Sequence, residues 1–113
     1  MVIVRKSVSL DELKKMAEKM YGGLVKAVVD IEQGIMVVDA ELHADEEALL
    51  LEEGSKQDYL WGINIYPNNI GKENWIEFDS MINLRPSQGN RSRSVEDKKI
   101  QEKIVAIVRK LIQ

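Results

Sequence analysis

The feature that most restricts what this chain can fold into is a pair of Val- and Ile-rich segments, residues 24–31 and 35–42, separated only by Glu32, Gln33 and Gly34. β-Branched side chains suit a pleated, packed surface, and the glycine supplies the positive φ that a tight hairpin connection needs. Strands joined this closely pair antiparallel, because a parallel pair needs a crossover of about a dozen residues or more. The chain is therefore committed to an antiparallel sheet.

The flanking segments add helices and a second hairpin. Ser9 followed by Glu12 is a capping box, with Val8 and Leu13 spaced as a hydrophobic staple, so a helix starts near Leu10. Leu10, Leu13, Met16, Ala17 and Met20 keep the helical period, and Gly22 and Gly23 stop it. Residues 43–54 read as a helix, with acids at its start and Gly54 at its end. Glu52 and Glu53 oppose the dipole there, which keeps a strand in competition. Residues 60–66 and 75–84 read as strands ending at Pro67 and before Pro86, joined by a turn over 67–74. Residues 86–94 hold no apolar side chain and form a loop, after which Ser94 is the expected cap of a last helix buried through Ile100, Ile104, Ile107, Val108 and Leu111.

The order α-β-β-α-β-β-α predicts an α+β fold, a sheet of about four strands with helices packed on it. With 113 residues the chain has one core and reads as a single domain over residues 1–113. If all helices lie on one side, the bare sheet face or an edge strand offers a homodimer surface.

Composition removes several function classes. The longest purely apolar run, residues 104–108, falls far short of the ~20 residues of a spanning helix, which excludes insertion in a membrane. The first residues lack the order of a secretory signal, and the expected location is the cytoplasm. Absent cysteine excludes a disulfide scaffold, a thiolate zinc site and a thiol nucleophile. The net charge of -3 and a pI near 5.2 argue against generic nucleic-acid binding. Charge is nonetheless partitioned: +3 over residues 1–29, -9 over 30–60, -2 over 61–83 and +5 over 84–113. The acidic and basic segments either pair with each other or face different partners.

Two constellations can carry chemistry. Asp39, Glu41, His43 and Asp45 alternate with Ala40, Leu42 and Ala44, so on an extended strand they share one face. Carboxylates with an imidazole suit a divalent metal, with Glu77 and Asp79 as further ligands if the hairpins are neighbours; the same alternation equally fits a solvated face. His43 is the only histidine and hence the only imidazole available as a general base. The second constellation is the loop from Arg85 to Ser94. Arg85, Gln88, Asn90, Arg91, Arg93 and Ser94 place guanidinium groups and polar side chains before a helix start, an arrangement suited to an anion. Pairing of Arg91 and Arg93 with the acidic stripe is the competing reading. Tyr59, Trp61, Tyr66 and Trp75 can form a stacking platform or core packing, while Asn64 and Asn83 need polar partners wherever they are buried. No phosphate-loop, dinucleotide or Gly-x-Ser-x-Gly motif occurs.

Three strings, HADEEALLLEEGS from His43, LWGINIYP from Leu60 and IEFDSMINLRPSQGNRS from Ile76, resemble an uncharacterised prokaryotic family of unknown function over roughly residues 41–91. The resemblance implies no activity, cofactor or catalytic residue. The residues themselves support a small non-catalytic module that binds an anionic ligand or a protein partner through Arg91 and Arg93. The alternative is a metal-dependent phosphate-ester hydrolase built on Asp39, Glu41, His43 and Asp45.

Overall fold

A computed structural model describes all of residues 1–113. The sheet is antiparallel and five-stranded, in the order β1-β3-β2-β4-β5, with β1 at Val2–Val4, β2 at Val25–Asp30, β3 at Ile35–Val38, β4 at Leu60–Ile65 and β5 at Ile76–Glu77. The helices are α1 at Leu10–Glu18, α2 at His43–Glu52 and α3 at Lys98–Leu111. The α+β class and both hairpins follow the sequence reading. The fifth strand, β1, is an addition: its three residues are too few to carry a pattern, and it is defined by pairing with β3.

The helices do not share one side. α1 and α3 press Leu13, Ala17, Ile104, Val108 and Leu111 onto Val25, Ala27, Val29, Met36, Val38, Trp61 and Ile63. On the opposite face Leu50 of α2 closes over Val28, Ile35, Val37 and Leu60, with Ile82 packed beside them. The three inner strands are thus covered on both faces, and β3 and β4 are buried at every position. Helices therefore lie on both faces of the sheet, and its edge strands are β1 and β5. No helix is long and apolar enough to cross a membrane.

Element ends explain the differences from the sequence reading. β3 stops at Val38 because Asp39 takes a left-handed φ of 69°, a conformation that short polar residues tolerate. The segment 75–84 is strand only at Ile76–Glu77; beyond it Ser80 Oγ accepts from the Ile82 N–H and opens a 3-10 turn at Met81–Asn83. The last helix is capped by Asp97, which accepts from the Lys99 N–H at 2.8 Å, and not by Ser94. Val95 is fully buried and the Ser94 carbonyl is held by Asn90 Nδ2 at 2.7 Å, and the helix starts only at Lys98.

Candidate functional site

The loop singled out for its arginines is mostly structural. The Arg85 guanidinium lies 4.2 Å from the Trp61 ring centroid and donates to the carbonyls of Leu60, at 2.8 Å, and Gln57. Gln88 Nε2 donates to the Asp58 carbonyl at 3.1 Å. Asn90 is buried, donating to the carbonyls of Asn83, Ser92 and Ser94 while its Oδ1 accepts from the Glu96 N–H. Arg85 and Gln88 therefore tie the loop to the chain entering β4, and Asn90 ties the turns on either side of itself together, with the Ser94 carbonyl among its partners. Arg91 is exposed and only its backbone N–H is engaged, by Glu96. Arg93 differs: its Nε donates to Asp79 Oδ1 at 2.7 Å, leaving both terminal amino groups without a protein partner. Its counter-ion is thus Asp79 and not the stripe at 39–45.

The stripe itself is dispersed. Strand β3 ends before it and α2 begins within it, so the four side chains cannot lie on one strand face. Asp39 pairs with Lys19 at 3.2 Å, Glu41 and Asp45 line a cavity of about 490 Å³ with Met1, Leu49 and Glu52, and His43 turns inward to donate from Nε2 to the Ile63 carbonyl at 2.7 Å. No group of three or more His, Asp or Glu side chains is close enough to hold a metal ion. Glu77 and Asp79 also separate, Glu77 accepting from Asn64 Nδ2 and Tyr66 and Asp79 from Arg93. Of the four aromatic residues of the possible platform, Trp61 and Trp75 are buried in the core under Arg85 and Arg109.

The residues that do converge are Lys26, His43, Ser80 and Arg93. With Leu42, Ala44, Met81 and Ile82 they line a cleft of about 170 Å³ between the start of α2 and the turn after β5. Lys26 projects from β2 beside Asn64 of β4 and forms no salt bridge. Leu42 occupies the N-cap of α2 and supplies no side-chain hydrogen bond, so the positive end of that ten-residue helix is uncapped where it meets the cleft. The His43 carbonyl partner fixes the neutral ring with its proton on Nε2, which puts the lone pair on Nδ1. Burial lowers the His43 pKa, Lys26 and Arg93 lower it further, and the Ile63 contact and Asp79 oppose them. Two cations against one carboxylate leave the cleft positive. The larger cavity sets Glu41, Asp45 and Glu52 against the terminal ammonium of Met1 alone and is the wrong sign for an anion.

One turn further along α2, Glu46 shares the buried face with His43 and Leu50. It is wholly buried, and neither carboxyl oxygen has a hydrogen-bond partner. Burial pushes its pKa up to about 9; the Ala40 backbone, Lys26 and the terminal ammonium pull the other way without forming a hydrogen bond to it, and Asp39 adds to the rise. At neutral pH it is an uncharged acid.

Sequence reasoning found Arg93 and His43 but missed Lys26, Ser80 and Glu46. A signal for Lys26 was present: a lone cation inside the apolar run Val25, Ala27, Val28 and Val29 must reach a polar site or solvent.

No curated protein and no solved structure matches the chain. A family model matches residues 2–111, extending the resemblance from the central segment to α1, the first hairpin and α3. The chain thus belongs to the family DUF5674, described as a protein of unknown function.

Proposed function

We propose that this protein is a small binding module for an anionic ligand, and that the anion is received in the cleft of Lys26 and Arg93. The observation that carries this reading is the meeting, in one cavity, of an unpaired ammonium, a guanidinium with two free amino groups and an uncapped helix start. Each is a donor of positive potential. An anion there would give charge-assisted hydrogen bonds to Lys26 and Arg93 and would supply the acceptor that Leu42 withholds from the first turn of α2. The rest of the Arg85 to Ser94 loop keeps Arg93 in place: Asn90 and Asn83 pin the carbonyls on either side of it, at Ser92, Ser94 and Arg93 itself.

Titration of labelled protein with inorganic phosphate, followed by amide shifts, tests the site. Saturable shifts are expected at residues 42–45, 80–82 and 93, and Lys26→Gln with Arg93→Gln should abolish them while the folded spectrum persists. Absence of saturable shifts there, or an unchanged response in the double variant, overturns the reading.

A further inference from the structure

Half of the cleft is apolar, and most of that half is exposed. Leu42 and Met81 stand on opposite walls and remain 56% and 61% exposed, among the most exposed large apolar side chains of the chain. Both occupy positions where a polar residue would cost nothing. An N-cap favours Ser, Thr, Asp or Asn, which would bond to the free N–H groups of the first turn; leucine gives up that bond and puts an aliphatic side chain in water. Met81 opens the 3-10 turn without touching the core, since the turn is held by Ser80 and Asn83. Ala44 and Ile82 continue the same surface into the cleft. An inorganic anion would use the cations and leave this wall wet.

We infer that the ligand of the cleft is an amphiphilic anion, a carboxylate or phosphate head on an aliphatic chain, with the head between Lys26 and Arg93 and the chain across Leu42 and Met81. This rests on the anion site proposed above and adds the ligand's other half. The cavity of about 170 Å³ encloses only the head and the first methylenes, so the chain must run outward along the two exposed side chains. Methionine is a suitable wall for such a chain because its unbranched, polarisable thioether adapts to irregular apolar partners.

Dissociation constants for acetate, butanoate and hexanoate, and for phosphate, butyl phosphate and hexyl phosphate, read from amide shifts at the cleft, test the inference. Each added methylene should tighten binding about two- to threefold until the wall is covered. Whichever head binds more tightly identifies the head group. Leu42→Ala with Met81→Ala should flatten this dependence, so that hexanoate and hexyl phosphate lose their advantage over acetate and phosphate; both side chains are exposed, so the fold is retained. Hexanoate and hexyl phosphate binding no more tightly than acetate and phosphate would overturn the aliphatic chain and leave the anion site standing. Chain-dependent binding that is indifferent to Lys26→Gln, or no shift at the cleft with any of the six compounds, would overturn the anion site and this inference with it.

Discussion

Asn83 faces Gly62 as a neighbouring strand would: its Oδ1 accepts from the Gly62 N–H at 2.8 Å and its Nδ2 donates to the Gly62 carbonyl at 2.9 Å. Strand β5 reaches only Asn64 and Ile65 of β4, so the outer edge of β4 beyond it is closed by side chains, Asn83 at Gly62 and Arg85 at Leu60. A β4 edge left open would be buried polar backbone without partners. Asn83→Ala strands both Gly62 groups and should lower unfolding stability by about 3 kcal/mol. Urea denaturation with an unchanged slope and a lowered midpoint would show it. Gly62→Ala should be as damaging, because a Cβ there would lie 2.6 Å from Ser80 Cβ and Oγ.

Arg85 makes the complementary case. Its two terminal amino groups donate to the Leu60 and Gln57 carbonyls and its plane lies on Trp61. Arg85→Met keeps an apolar stem over the indole and removes the donors. Stability should fall by about 2 kcal/mol, with a changed Trp fluorescence, while the phosphate titration of the cleft keeps its midpoint. Loss of the phosphate response in the folded Arg85→Met protein would move the anion site to the arginine loop.

These two residues also show what sequence can and cannot disclose. The capping box at Ser9 and Glu12 is local chemistry over four positions, and it forms as read, with Glu12 N–H donating to Ser9 Oγ at 3.0 Å and Ser9 N–H donating to Glu12 Oε1 at 3.2 Å. The first hairpin and the stripe of α3 are legible for the same reason, since a repeated pattern writes each face many times. Arg85 and Asn83 look like an anion donor and a mid-strand amide because their true partners, Trp61 and Gly62, lie about twenty residues away and are met only through the pairing of β4. The stripe from Asp39 to Asp45 misleads differently. Its alternation is real, but one left-handed residue, Asp39, ends the strand, and the helix that follows sends His43 inward and Glu41 and Asp45 to another surface. Asp and Asn tolerate such a φ without requiring it, so no composition rule announces it.

The buried acid Glu46 sets a pH dependence of stability. Its ordinary value of 4.5 applies to the unfolded chain, and about 9 applies to the folded one. Between these values the folded state holds a proton that the unfolded state has released, so stability is full below 4.5 and falls as pH rises, by about 1.4 kcal/mol per pH unit. Glu46→Gln replaces the neutral acid with a neutral amide of the same shape. It should raise stability at pH 7 by about 3 kcal/mol and remove that part of the slope. Urea midpoints at pH 5, 7 and 9 for both proteins would check it. Parallel profiles would mean that Glu46 is ionised in the fold, paired with the Lys26 ammonium or the terminal ammonium that face it.

His43 acts in the opposite sense and reports on the cleft. Its lowered pKa means that the unfolded chain takes up a proton first as pH drops below 6.5, so its contribution to stability is present above 6.5 and is lost as pH falls toward the folded value. Part of that lowering comes from Lys26 and Arg93, with Asp79 opposing them. An anion held by the two cations offsets their field on the imidazole. Saturating phosphate should therefore raise the His43 pKa toward its ordinary value, and Lys26→Gln should raise it without phosphate and shrink the further rise on adding it. By linkage an anion of fixed charge binds more tightly as His43 gains its proton, so the affinity of sulfate, which stays a dianion over this range, should increase as pH falls through the titration of His43. Imidazole resonances followed from pH 4 to 8, with and without phosphate or sulfate, measure all of this on one side chain. A His43 curve that phosphate leaves in place would mean that no anion reaches the two cations beside it.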